Sequence, residues 1–410
     1  MATWTGNLEI REVPKEALDT AARAFNPVMA WAWAGGAILA FQLYVWAMWI
    51  TGPSFVRVPA GPSDPPTFMK VILAIWTGVI CLGLPIAIYY VVIRPWRREG
   101  RITTDAMLMG AFGLVFFQDP LLNYFNTWST YNTWMFNRGS WVLDVPGWVS
   151  FGKPGAMMAE PLLMNGPGYT WGVLICTMLG CWVMRRAKLR WPNIGVPGLL
   201  GVLVVWTFFF DLVIEGLFLM PMGLFTYPGA IQWLSINPGT YYQWPIYEGI
   251  MWGGVQAGFC SLRYFTDDRG RTFVERGLER VKGGAVKRES TRFLAIFAAV
   301  SMFFFVFYNI PAQWFALHAD PWPEDIQKRS YFTMGICGEG TGRLCPHPGL
   351  PFEQANTPSA YIGADGQVVV PEGTELPKIV PYDRPNWDDQ DGGTQAASRC
   401  RARALLPAAR

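Results

Sequence analysis

The stretch Val196 to Leu219, VPGLLGVLVVWTFFFDLVIEGLFL, decides the fold class. Coiled as an α-helix, it is long enough to cross the roughly 30 Å hydrocarbon core of a bilayer. It carries no basic residue and only two acids, Asp211 and Glu215, with no polar face to hold them in water. Outward from it lie six more apolar runs bounded by charge: Val28 to Ile50, Met69 to Ile93, Ala106 to about Phe125, Tyr169 to Met184, Ile246 to Tyr264 and Phe293 to Leu317. The pattern predicts an all-α, polytopic transmembrane helical bundle of about seven spans. The third run breaks at Gln118, Asp119 and Pro120, so it kinks there or ends short.

Composition agrees. Only 15% of positions are charged and 51% are hydrophobic, against about 25% charged in a soluble domain. The 21 Trp, 27 Phe and 15 Tyr suit a lipid interface. A net charge of +3 with no basic face between the runs excludes nucleic acid as a partner, which leaves an apolar small molecule and the bilayer itself. Nothing in the sequence indicates a protein partner.

Basic residues in short loops mark the cytoplasmic side. The loops after runs two, four and six hold 17 Arg or Lys, and the alternate loops hold four, Arg57, Lys70, Arg138 and Lys153. Three domains follow: a cytoplasmic N-terminal segment (1–26), a membrane domain (27–319) and an extracytoplasmic, Pro/Gly-rich, poorly structured tail (320–410). The expected location is the plasma membrane, multi-pass. The first 26 residues are polar and acidic and lack the short apolar core of a cleavable signal.

Cys337 and Cys345 stand eight apart on the side predicted to face an oxidising compartment, where a disulfide and two free thiols are equally open. With His347 they lack the tight paired spacing of a zinc set, and no metal site is expected. No P-loop, dinucleotide glycine fingerprint, HExxH or GxSxG occurs, so no cofactor is expected. The Asp388, Asp389, Asp391 run lies in polar tail sequence and reads as solvated.

Acids inside spans are costly and are functional candidates by default. Asp211 and Glu215, four apart, fall on one helix face, where mutual repulsion and desolvation favour a proton on at least one of them. Asp119, Glu160 and Glu248 are placed at the same depth by the topology. Asp211 and Glu215 are the expected acid–base pair, Asp119 and Glu248 their helpers, and Gln118, Asn123, Glu160 and Tyr247 the expected substrate contacts. Each acid also has a plainer reading as a helix end, turn or packing group. Trp128, Trp134, Trp141 and Trp148 read most simply as an interfacial belt.

The segments FFQDPLLNYFNTW (Phe116 to Trp128), NGPGYTWG (Asn165 to Gly172), FFFDLVIEG (Phe208 to Gly216) and YQWPIYEG (Tyr242 to Gly249) resemble the spirocyclase AveC-like family over roughly residues 25 to 320. That family takes its name from an actinobacterial enzyme that forms a spiroketal in avermectin biosynthesis and also dehydrates it. The resemblance implies a cofactor-independent membrane cyclase and dehydratase of secondary metabolism, acting on a polyketide-like or lipid-like substrate. It carries over no site residues. A membrane terpene-type cyclase, a small-molecule or lipid transporter and a structural membrane protein are the alternatives.

Overall fold

A computed structural model describes residues 26–147, 158–342, 344–346, 361–362 and 367–370. Seven long helices make the bundle: α1 Pro27–Thr51, α2 Thr67–Glu99, α3 Thr104–Asn123, α4 Leu162–Arg190, α5 Val196–Leu219, α6 Ile246–Tyr264 and α7 Ala285–Leu317. Six of them, all but α6, are long and apolar enough to cross a membrane. The expected seven therefore becomes six by apolarity. The difference has a physical reason. α6 carries Glu248, Gln256 and Arg263 and is enclosed by its neighbours, with Glu248 and Gln256 about 1% exposed, so it need not be apolar towards lipid. A helix of its length rises about 28 Å. It runs antiparallel to α5, since Gly249 faces Phe208 while Gly253 faces Val204. Gly258 lies against the Phe303 ring, where a Cβ would come within 2.4 Å of it, so only glycine lets α6 and α7 approach this closely.

Exposure of apolar side chains divides the bundle. Outward faces of α1, α2 and α5 show Trp33, Ile75, Leu82, Val205 and Phe209, each more than half exposed, as lipid-facing helices do. α3 and α7 supply much of the buried core, including Leu108, Phe112, Phe297 and Val300. α3 breaks where the sequence expects: its α-helix ends at Val115, and two 3-10 turns, Phe116–Gln118 and Pro120–Asn123, replace the regular helix on either side of Asp119.

The basic end of the bundle is pinned by ion pairs. Arg263 at the end of α6 clamps Asp105 at the start of α3 with both oxygens engaged, at 2.8 and 2.9 Å. The buried Arg292 guanidinium binds Glu275, Thr104 and the Ile102 carbonyl.

The opposite end is a cap built from the long loops. Strands β1 (Thr130–Tyr131) and β2 (Phe225–Thr226) pair antiparallel, and Asn132 bonds the Gly223 carbonyl. Trp141 and Trp128, expected in a lipid-facing belt, are instead 2% and 3% exposed in the protein interior. Trp141 packs on Trp49, Phe116 and Phe117 and donates to the Phe117 carbonyl at 2.9 Å, which satisfies its indole while its rings fill the cap. Trp148 lies outside the described residues.

The folded part extends past the boundary placed at residue 319. Trp322, Ile326, Tyr331, Phe332 and Ile336 are buried in the cap, Thr133 donates its backbone N–H to the Tyr331 carbonyl, and Cys337 and Cys345 are joined by a disulfide there. Residues 1–25 and 371–410, with the expectations made for them, lie outside the described residues, as does His347.

Candidate active site

Where α4, α5, α6 and α7 reach the cap they enclose a cavity of about 220 Å3. Three of its helices abandon regular α-geometry there for π-helical stretches: Gly168–Gly172 in α4, Leu212–Leu219 in α5 and Phe305–Asn309 in α7. Each carries one polar residue of the site, Tyr169, Glu215 and Tyr308. Widened turns of this kind re-aim side chains and recur at functional sites.

The acids form two groups. In the first, Asp211, Glu215 and Glu248 come together, one oxygen of each lying within 4.8 Å of the others. Glu248 enters from the first turn of α6. Tyr308 donates to Glu248 Oε1 at 2.9 Å, Tyr227 donates to Glu215 Oε2 at 3.1 Å, and the two hydroxyls are 3.4 Å apart. The two phenols thus stand side by side between Glu215 and Glu248, each giving its one proton to a carboxylate. Asp211 and Glu248 lie within side-chain hydrogen-bonding reach of each other, a contact that a shared proton makes. Three oxygen donors are a set that can hold a hard cation.

In the second group, Asp119 sits at the break in α3. Tyr131 donates to its Oδ2 and Tyr169 to its Oδ1, both at 2.6 Å. Two phenols, one on each oxygen, solvate a carboxylate with charge-assisted hydrogen bonds. Glu160, 1% exposed, lies behind it. Burial, then the adjoining Asp119 carboxyl, pushes the Glu160 acid well above the usual carboxylate range. Burial also pushes the Tyr131 and Tyr227 phenols up, so they act as donors across the physiological range.

Asp119, Asp211, Glu215 and Glu248 all line the cavity, and between the two groups its wall is apolar, with Leu122, Met164, Ile214, Leu219, Phe225 and Phe304. Among its lining residues none is basic. Desolvation is therefore met here by protons, phenols and, where bound, a cation.

Gln118, Asn123, Glu160 and Tyr247 do not line the cavity. Gln118 donates to the Ser301 carbonyl and accepts from Asn309, fixing α3 to α7. Asn123 accepts from the backbone of Trp128 and Ser129 at 2.7 and 3.0 Å and shapes the loop that follows α3. Tyr247 stacks on Phe315 with ring centroids 3.8 Å apart, its hydroxyl accepting from the Ile231 N–H.

A family model described as spirocyclase AveC-like matches residues 97–332, more than half of the chain. The chain belongs to that family. The matched region takes in both carboxylate groups and the first part of the folded segment beyond α7. Neither the curated proteins nor the solved structures contain a match to this AveC-like chain. Family and apolar helices together support a membrane cyclase-type role.

Four tyrosines of this AveC-like site, Tyr131, Tyr169, Tyr227 and Tyr308, were not singled out from sequence. Two of them, Tyr131 and Tyr227, come from loops rich in aromatics, where nothing separates a phenol bonded to a buried acid from one at a lipid interface. Tyr169 lies inside the NGPGYTWG segment, and that was the one available signal.

Glu160 supplies a test of the local electrostatics. An acid whose pKa is raised on folding binds more protons folded than unfolded, so its cost to stability is absent below the ordinary value of 4.5 and grows as pH rises towards the folded value. Glu160→Gln, which keeps the shape of the protonated acid, is expected to flatten the fall in thermal stability from mildly acidic to alkaline pH. An unchanged slope would remove Glu160 as its source.

Proposed function

We propose that this protein is an integral plasma-membrane cyclase that closes a ring with loss of water on an apolar, polyketide-like or lipid-like substrate. It uses the cavity carboxylates as acid and base, as in spiroketal formation. The N-terminus is cytoplasmic in this reading and the cap extracytoplasmic, following the basic residues at the opposite end. The observation that carries the proposal is the meeting of two buried carboxylate groups across one small cavity with no basic residue in its lining.

Three carboxyls packed within 4.8 Å cannot all ionise, so the Asp211, Glu215, Glu248 group holds protons and is the acid. It protonates a hemiketal hydroxyl, the C–O bond breaks, water leaves and an oxocarbenium ion remains. Asp119, held by Tyr131 and Tyr169, faces that cation as an anion. A substrate hydroxyl then forms the new C–O bond, and its proton passes to a carboxylate of the first group, which restores the acid. Dehydration follows from the same acid: once water has left, a carboxylate takes a proton from a neighbouring C–H, whose electrons form the C=C bond, in place of attack by a hydroxyl.

One observation favours a second reading. The same three acids suit a cation, as in ion-coupled transport or metal-assisted chemistry. Phenol donors on Glu215 and Glu248 fit the acid–base reading, because each fixes one oxygen of a carboxyl that can carry its proton on the other. Washing the purified protein with a chelator is accordingly expected to leave product formation unchanged. A loss restored by one divalent metal would transfer the three acids to that metal.

A further inference from the structure

The cavity wall is uneven. On one side the lining is closed by the cap and by α6 and α7, with Asp119, Leu224, Tyr227 and Glu248 all buried. On the other side the lining comes from α2, α4 and α5, and there Trp76, Gly172, Cys176, Phe210 and Ile214 are only partly buried. These helices carry lipid-type surfaces. Only 11% of the apolar stretch of α2 and 22% of that of α5 is covered by protein.

Packing explains the uneven wall. α2 packs against the part of α4 nearest the cap, Leu162–Gly172, whereas α5 packs against α6 and the other half of α4, Val173–Arg190. The cap end of α5 is therefore not closely packed on α2. Across the space between them Trp76 and Phe218 meet edge to face, with centroids 5.6 Å apart. Gly172 adds to the opening, because a Cβ there would meet nothing within 4 Å.

Size is the second observation. A cavity of about 220 Å3 falls below the roughly 300–1,000 Å3 of sites that swallow a whole drug-sized ligand. A space of that size takes part of a large apolar ligand and leaves the rest outside.

We propose that the space between α2 and α5 is a lateral slot to the bilayer, through which the apolar remainder of the substrate extends while its reactive end lies between the carboxylates. The occupant is that apolar chain, with Trp76 and Phe218 forming the movable rim. An unbranched or flexible apolar chain next to the ring-forming hydroxyls is then a requirement of the substrate. The slot rests on the cyclase reading for its ligand, but its geometry is testable without turnover.

Cys176 lines the cavity just inside the slot and is a free thiol, which makes it a reporter. The protein is reconstituted in phosphatidylethanolamine/phosphatidylglycerol vesicles and exposed either to a maleimide bearing a dodecyl chain or to a charged, membrane-impermeant methanethiosulfonate. Modification of the Cys176 peptide is read by mass spectrometry. The alkyl reagent is expected to modify Cys176 at least tenfold faster than the charged one. Phe218→Ala, which removes half of the rim, is expected to speed the alkyl reaction, and Gly172→Phe, which fills the slot, to slow it at least tenfold. Faster modification by the charged reagent overturns the proposal, since the cavity then opens to water. Failure of the alkyl reagent to reach Cys176, or indifference to both variants, also overturns it. The acid–base reading is judged separately, by turnover of the Asp211→Asn, Glu215→Gln variant.

Discussion

Replacing Asp211 by Asn together with Glu215 by Gln is expected to lower product formation by about 10²–10⁴-fold, the range a positioned acid–base group contributes. The amides keep the volume of the acids and can still accept from Tyr227, which donates to Glu215 in the native site. They cannot deliver a proton. Folding should not suffer, because the buried Asp211 and partly buried Glu215 carboxyls beside Glu248 are replaced by neutral groups that cost less to desolvate. The expected signature is therefore a thermal midpoint at or above that of the native protein with turnover nearly abolished. Glu248→Gln alone should fall between native and double variant, since the remaining pair still shares a proton. A double variant that turns over normally would take the chemistry away from α5.

Asp119→Asn is expected to lower turnover by about 10²–10³-fold, the size of effect seen when one group that stabilises developing charge is removed. Both phenols lose the charge they solvate, while Tyr131 and Tyr169 remain within reach of the amide. Because the role belongs to the transition state, the loss should fall on kcat rather than KM. Asp119→Ala is a harsher change. It leaves two partly buried phenols without their acceptor, so it should lower stability as well as activity. Comparing the two separates positioning from folding. An Asn variant with native kcat would leave Asp119 as a helix-break residue that orders α3 and nothing more.

How far the sequence carries can be judged from particular residues. Charge-bounded apolar runs are a strong, one-dimensional signal, and every run became a helix of the bundle. The break at Gln118, Asp119 and Pro120 was legible because proline cannot continue the backbone ladder. That Asp119, Asp211, Glu215 and Glu248 lie at one end of the bundle was legible as well, because that follows from position along a span. Rotation about the bundle axis was not. Gln118 and Asp119 are neighbours in sequence, yet one fastens α3 to α7 and the other enters the cavity. The 3-10 and π turns that decide this leave no periodic trace. α6 passed as a span by its length, while its glycines and polar groups show their purpose only when α5 and α7 are seen packed around it. The same limit hid the burial of Trp128 and Trp141. An indole at a membrane interface and an indole bonded inside a cap have the same neighbours in sequence.

The division of five acids into two groups is the most consequential feature that sequence did not show. A single pool would have mixed their roles. As folded, Asp211, Glu215 and Glu248 crowd together, while Asp119 is held by two phenols with Glu160 beside it. In the proposed reaction the substrate lies between them. On the proposed mechanism this keeps acid and anion apart, which is what ring closure through an oxocarbenium ion requires.

The central claim is that these acids close a ring with loss of water. Its most direct test is comparative metabolite profiling by mass spectrometry of the native host carrying the wild-type protein, a deletion, or the Asp211→Asn, Glu215→Gln variant at matched membrane levels. The account predicts that the deletion and the variant accumulate the same precursor, one water heavier than the wild-type product. Metabolites unchanged in both strains, or a variant indistinguishable from wild type while the deletion accumulates precursor, would contradict it.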